Sequence, residues 1–78
     1  MIRCPCCGCL TIDNSDEVVT DICAVCFWQY DEAAQDMPER VIGANGVSLH
    51  TARKNYRLFG AVEKQFLEMV RPPCEEEL

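Results

Sequence analysis

Six of the seven cysteines lie in the first third of the chain, at spacings typical of metal ligands. Cys4 and Cys7 are separated by two residues, and Cys23 and Cys26 repeat that spacing after a connection of 15 residues. Two residues between thiolates allow one tight turn to direct both sulfurs at a single ion, and two facing turns complete a tetrahedron. The pattern therefore predicts a metal site with four ligands, Cys4, Cys7, Cys23 and Cys26.

The chemistry of four thiolates favours a structural zinc ion, because they close the coordination shell and leave no position for a catalytic water. Iron in the same tetrathiolate site is the alternative, since cysteine spacing by itself does not select the metal. The odd count of seven cysteines would leave one thiol over in a fully oxidised framework. We therefore expect bound metal rather than disulfides, and a reducing, cytoplasmic location.

The first pair of ligands has two possible registers, because Cys6 and Cys9 also form a C-x2-C pair. Pro5 pre-sets the backbone of a turn that starts at Cys4, and a glycine directly after Cys7 permits a left-handed turn there. These features favour Cys4 and Cys7 as the ligands. The alternative pair, Cys6 and Cys9, stays open at this point.

Secondary structure must bring the two cysteine pairs together, and the connection between them is long enough for a β-hairpin. Residues 10–12 and 18–22 are predicted strands, with turn residues at 13–16 between them. Two cysteine turns bridged by a hairpin make a zinc ribbon. Phe27 and Trp28 directly follow the second pair and are expected to pack beside the site.

The second half of the chain predicts helices. Ser48 is placed as an N-cap, apolar residues recur at helical spacing from Leu49 to Phe59, and Gly60 is a natural stop. A second, shorter amphipathic helix is predicted within residues 62–70, and the polar segment 31–40 is expected to be a loop. The predicted fold is a small α+β domain, a zinc ribbon followed by two short C-terminal helices, over residues 1–73 with an acidic tail at 74–78.

Length and charge narrow the classes of function. A chain of 78 residues forms one domain with a marginal core, which needs a staple such as a metal. It contains no apolar run of 18 residues, so we expect no membrane span.

The formal charge is −6, and residues 4–39 carry eight acidic and no basic side chains. Such a surface suits a basic protein partner. The predicted contact residues are Asp31, Glu32, Asp36 and Glu39.

The small basic patch formed by Arg53, Lys54 and Arg57 gives an alternative function, an accessory or regulatory zinc ribbon that contacts nucleic acid. An acidic protein repels phosphate overall, so nucleic acid is the less favoured partner. The chain has one histidine and no phosphate-cradling glycine loop, and we expect neither catalysis nor a small-molecule substrate.

Several motifs resemble the bacterial cysteine-rich CPCC domain family, over most of residues 3–71. The matching stretches are Cys4-Pro5-Cys6-Cys7-Gly8, Cys23-x-x-Cys26-Phe27-Trp28, Gly43-Ala44-Asn45-Gly46-Val47-Ser48-Leu49, Ala52-Arg53, Asn55-Tyr56 and Phe59-Gly60-Ala61. The resemblance implies a small zinc-binding domain. The chain departs from the family at Cys9, where members usually carry an aromatic residue, and in a shortened acidic segment at 31–40. We expect a structural-zinc protein that binds a basic protein partner, as an immunity or inhibitor protein would.

Overall fold

The cysteine-rich end of the chain is built on a short β-hairpin. In the computed structural model, which describes all residues from 1 to 78, strand β1 (Ile2–Arg3) pairs antiparallel with strand β2 (Leu10–Ile12). The register is irregular within β1, as at a β-bulge. The loop between these strands contains Cys4 and Cys7, so the hairpin itself positions the first cysteine pair.

The predicted pairing of residues 10–12 with residues 18–22 is wrong, because β2 has β1 as its partner. The Asp21 carboxylate accepts a hydrogen bond from the backbone N–H of Asp13 at 2.8 Å. A side chain thus satisfies a backbone donor that a second strand would otherwise satisfy. The segment between the two aspartates is irregular.

The acidic segment at residues 31–40, predicted to be a loop, contains a short helix α1 (Glu32–Asp36). Asp31 is its N-cap, with a side chain that accepts from the backbone N–H of Ala34 at 3.2 Å. Ala34 is fully buried and attaches the helix to the core. The helix ends shortly before Pro38, because a residue that precedes proline disfavours the helical conformation.

The prediction of the main helix is confirmed. Helix α2 (Leu49–Phe59) begins after Ser48, whose hydroxyl accepts from the backbone N–H of Thr51 at 3.1 Å. It ends at Gly60, which has a left-handed φ of 92° that glycine adopts without strain. Leu49 and Ala52 on its apolar face are buried. The amphipathic pattern therefore fixed both the position and the inner face of this helix.

The prediction of a second C-terminal helix at residues 62–70 is wrong, since this segment forms only a 3-10 turn at Lys64–Phe66. The carbonyl of Val62, which an α-helix starting here would bond to a backbone N–H, is already engaged by a side chain. The N–H of Val62 donates to the carbonyl of Cys26 at 2.9 Å, and the Val62 carbonyl accepts from the Asn55 side chain at 2.8 Å. No helix in the chain is both long and apolar enough to cross a membrane.

The hydrophobic core is assembled around the cysteines. Of the 12 residues in the core cluster, five are cysteines, and they lie among the side chains of both strands and helices. Trp28 is fully buried next to them, which confirms its predicted place in the core. The other large buried side chains are Ile12, Leu49, Val25 and Val62. A cysteine cluster in this position stabilises the whole domain if a cation binds it.

The C-terminal tail folds back onto the hairpin. Its last 3-10 turn (Glu75–Glu77) lies against β2, and Nη1 of Arg3 donates to the backbone carbonyl of Leu78 at 3.2 Å. Arg71 forms two hydrogen bonds of 2.7 Å with the Glu77 carboxylate. The last two residues of the tail are therefore attached to the rest of the domain.

Candidate metal centre

The structure brings together the four sulfurs that the spacing predicts. The Sγ atoms of Cys4, Cys7, Cys23 and Cys26 all lie within 4.8 Å of one another. The Cys4–Cys26 pair is 3.5 Å apart and the Cys7–Cys23 pair 3.6 Å, far beyond the roughly 2.05 Å of a disulfide bond. Four sulfurs about 2.3 Å from one ion at tetrahedral corners would be about 3.8 Å apart. The cluster therefore has the dimensions to hold a metal ion.

The first knuckle (residues 4–9) forms the turn of the hairpin. The backbone N–H of Cys4 donates to the carbonyl of Cys9 at 2.8 Å, and the N–H of Gly8 donates to the carbonyl of Cys4 at 2.9 Å. Gly8 has a φ of 80°. This left-handed residue turns the chain directly after the second cysteine of the pair, as its glycine predicts.

The second knuckle (residues 23–28) repeats the same pattern at the same offsets. The N–H of Cys23 donates to the carbonyl of Trp28 at 2.9 Å, and the N–H of Phe27 donates to the carbonyl of Cys23 at 2.8 Å. Phe27 has a φ of 74° and is the one residue other than glycine with a positive φ. Sequence reasoning missed this, because phenylalanine carries no signal for a left-handed turn.

Each knuckle is closed by a pair of extended residues at equivalent positions. Arg3 pairs with Leu10 across the first knuckle, and Ile22 pairs with Gln29 across the second. The second pair is supported from outside by Asn45, whose side chain accepts from the Gln29 N–H at 3.0 Å and donates to its carbonyl at 2.9 Å. Two similar hairpin tips thus present their cysteines to each other.

Hydrogen-bond donors surround the sulfurs. The backbone N–H of Trp28 donates to Sγ of Cys26 at 3.4 Å, and the hydroxyl of Thr11 lies 2.9 Å from Sγ of Cys23. Such contacts stabilise thiolates and fix the direction in which a ligand points. Cys4, Cys23 and Cys26 are buried, and Cys7 is half-buried at the edge of the cluster. The site is therefore largely shielded from water.

The four thiols do not ionise together when no cation lies among them. Hydrogen bonds to the Cys23 sulfur, together with burial, raise the pKa of Cys4, Cys7 and Cys26 above the ordinary value for cysteine. The same hydrogen bonds, first of all that from Cys26, lower the pKa of Cys23. A divalent cation reverses this preference, because its charge stabilises all four thiolates.

Cys6 and Cys9 lie outside the cluster, although both are buried. The hairpin brings Cys4 and Cys7, and not the overlapping pair, against the second knuckle. The backbone explains this choice, since the carbonyl of Cys9 accepts the bond that closes the first knuckle and so marks its end. Cys6 and Cys9 are small apolar core residues in this arrangement.

The remaining cysteine and the single histidine are not part of the cluster. Cys74 is exposed in the C-terminal tail, where its sulfur lies 3.6 Å from Nη1 of Arg71. His50 is exposed on α2, and its backbone N–H donates to the carbonyl of Pro38. Neither side chain adds to the candidate metal centre.

The four acidic residues predicted to contact a partner lie on α1 and next to it. Glu32, Asp36 and Glu39 are exposed, and Asp31 is half-buried as the N-cap of the helix. The one salt bridge of the chain is in the C-terminal tail, so none of these carboxylates forms a salt bridge. Their role in binding a partner stays a prediction.

One of the three residues of the predicted basic patch forms a hydrogen bond within the domain. Nε of Arg53 donates to the carbonyl of Pro5 at 2.9 Å, which joins α2 to the first knuckle. Lys54 and Arg57 are exposed, and their side chains make no hydrogen bond within the chain. Two free basic side chains are a small footprint for nucleic acid, which requires a wider basic stripe.

These features define the class of protein as a small cysteine-rich domain with a four-sulfur site that can hold a metal ion. The sequence model of the family described as Cysteine-rich CPCC matches residues 2–77, and the chain belongs to this family. The match includes both knuckles, both helices and most of the C-terminal tail. No curated protein and no solved structure matches the chain.

Proposed function

We propose that the four clustered cysteines bind one zinc ion with a structural role, in the manner of a zinc ribbon. Four thiolates satisfy the tetrahedral preference of zinc and exclude a catalytic water. Thr11 and Trp28 would act as outer donors that hold Cys23 and Cys26 in place. Zinc fits this buried site because it adds no redox chemistry to the core. Metal analysis of the purified protein tests the assignment, with one colourless zinc ion per chain as the expected result.

We further propose that the domain is not an enzyme but a module that binds a basic protein partner. A closed coordination shell leaves the metal without a position for substrate, and the lone histidine is not part of the cysteine cluster. The observation that carries the proposal is the group of exposed carboxylates at Glu32, Asp36 and Glu39, none of which forms a salt bridge.

The physical basis of this function is electrostatic steering onto a rigid scaffold. Clustered charge of one sign speeds the encounter with an oppositely charged partner and rejects partners of like charge. A domain stapled by a metal loses little conformational freedom on binding, so more of the interaction energy appears as affinity. An immunity or inhibitor protein that masks the basic surface of a toxin or nuclease would use both properties.

The experiment is co-purification of tagged protein from its native host, at low and at high salt. The variant Glu32→Gln/Asp36→Asn/Glu39→Gln removes the carboxylates on and after α1. The control Glu68→Gln/Glu75→Gln/Glu76→Gln removes the same number of charges elsewhere on the surface. We expect one basic partner that the control retains, the α1 variant loses and high salt releases.

Two results would contradict the proposed module. One is a partner held equally by both variants at all salt concentrations, which would place binding on another surface. The other is a nucleic acid that copurifies and is lost in Lys54→Ala/Arg57→Ala, which would support the alternative function. A salt titration separates these cases, since phosphate contacts give a steep dependence of affinity on ionic strength.

A further inference from the structure

A groove opens between the irregular segment at residues 17–20 and helix α1, on the acidic side of the domain. Its volume is about 410 Å³, and Tyr30 and Ala33 are among the residues that line it. Val18, which also lines it, is 74% exposed although it is apolar. The groove is therefore large enough for a side chain and offers apolar surface that the fold itself does not cover.

The rim of this groove is negatively charged. Glu17, Asp31 and Glu32 are among the residues that line it. None of the residues that line the groove is basic, and none of the three carboxylates takes part in a salt bridge. Since one oxygen of Asp31 caps α1, the carboxylates of Glu17 and Glu32 are the ones available to a ligand.

We propose that this groove is the recognition pocket for an arginine side chain of the basic partner. The inference rests on the proposed partner-binding function and locates its specificity. The methylene stem of arginine matches the walls of Val18 and Val19. The guanidinium group can donate to Glu17 and Glu32 while it stacks on the ring of Tyr30.

Arginine fits the groove better than lysine for a chemical reason. The guanidinium group is planar, weakly hydrated and able to contact a carboxylate through two parallel hydrogen bonds. The lysine ammonium group is compact and strongly hydrated, so it loses more on leaving water for a half-apolar groove. A citrulline side chain has the shape of arginine without its charge. A comparison of the two side chains therefore measures how much the positive charge contributes to the binding free energy.

The test is an NMR titration of the metal-loaded, 15N-labelled full chain with short glycine- and serine-rich peptides that contain one arginine, lysine or citrulline. We expect the arginine peptide to shift amides of residues 17–20 and 29–33. Its affinity should exceed that of the citrulline peptide by about tenfold or more, the factor given by about 1.4 kcal/mol of binding free energy. Equal affinity for arginine and citrulline, or for arginine and lysine, would overturn the proposal.

Two variants with the same change in net charge show whether the carboxylates of the groove are responsible for arginine binding. Glu17→Gln/Glu32→Gln should abolish the specific shifts, whereas Glu75→Gln/Glu76→Gln, with the same change in net charge, should preserve them. Shifts spread over all acidic residues, or retained in the groove variant, count against the pocket. Chemical shift changes spread over all acidic residues leave the proposed partner-binding module intact, because the partner could bind by charge alone. If the arginine-specific shifts are found but the protein copurifies with no partner, the pocket is supported and the proposed partner-binding module is contradicted.

Discussion

Gly8 and Phe27 occupy the same backbone position in the two knuckles, with φ of 80° and 74°. Each follows the second cysteine of its pair and donates its N–H to the carbonyl of the first. Glycine adopts this conformation freely, whereas another residue there costs about 1–2 kcal/mol. The Phe27 ring stacks on Phe66 with centroids 4.5 Å apart, and this contact offsets part of the cost.

A substitution at Gly8 isolates the cost of the left-handed turn. An added Cβ at this position meets no atom within 4 Å, so steric collision plays no part. We expect Gly8→Ala to lower the free energy of unfolding by about 1–2 kcal/mol through backbone strain. Urea denaturation of the metal-loaded protein measures the change. An unchanged midpoint would show that the knuckle tolerates another backbone conformation.

At Phe27 the stabilisation from ring stacking can be separated from the strain of the left-handed backbone. Phe27→Ala loses the stacking on Phe66 and keeps the strain, whereas Phe27→Gly loses the stacking and relieves the strain. We therefore expect the alanine variant to be less stable than the glycine variant by about 1 kcal/mol. The control Phe66→Ala removes the same aromatic contact without a change at the knuckle. Equal stability of the two Phe27 variants would argue against strain at this position.

Metal removal should unfold the domain, because the cysteine cluster lies at the centre of the core. Trp28 is the single tryptophan and is fully buried, so its fluorescence reports on the core directly. We expect a strong chelator to shift its emission to the red and to reduce the helical circular dichroism of α2. Addition of zinc should restore both signals. A chelated protein with native spectra would contradict a structural metal.

Serine substitutions test the ligand set. We expect Cys4→Ser, Cys7→Ser, Cys23→Ser and Cys26→Ser each to lower metal content or affinity strongly. Cys6→Ser and Cys9→Ser are matched controls in the same segment and should retain one ion per chain, with a modest loss of stability from a buried hydroxyl. Retained metal in Cys7→Ser with loss in Cys6→Ser would assign the overlapping pair as ligands.

Metal binding should release protons. In the unfolded metal-free chain the four cysteines have the ordinary cysteine pKa of about 8.5, so most of the thiols are protonated at neutral pH. Because metal ligation requires thiolates, up to about four protons should be released per ion bound. Calorimetry in buffers of different ionisation enthalpy measures this number. Affinity should fall as the pH is lowered, and an affinity independent of pH would exclude thiolate ligation.

The C-terminal tail gives a prediction at acidic pH. Hydrogen bonds from Arg71, and then from the Cys74 backbone, lower the pKa of Glu77 to about 2. The stabilising contact is therefore complete above the ordinary pKa of a glutamate and is lost as the pH falls toward 2. A carboxyl NMR titration should show this low pKa. Arg71→Gln should return it toward the ordinary value, and an unchanged pKa in that variant would exclude the ion pair as its cause.

Sequence patterns correctly predicted the parts of the fold that depend on residues close together in the chain. Helix α2 is one example, because Ser48, its apolar stripe and Gly60 each act within a few residues. The segment at residues 62–70 also has an amphipathic pattern, but the Val62 carbonyl bonds to the Asn55 side chain and the Val62 N–H bonds to the carbonyl of Cys26. Both contacts depend on how α2 and the second knuckle pack against this segment, so the amphipathic pattern alone could not show that no α-helix forms there.

The spacing of the cysteines by itself predicted a four-sulfur site made of Cys23, Cys26 and one of two overlapping first pairs, because a two-residue gap is a property of local turn geometry. Tertiary structure decided the rest of the site. The pairing of β2 with β1, rather than with residues 18–22, placed Cys6 and Cys9 outside the cluster. The stacking of Phe27 on Phe66 permitted a left-handed turn without glycine. Both depend on contacts between segments far apart in the chain, whose relative stability emerges only when the whole core is packed.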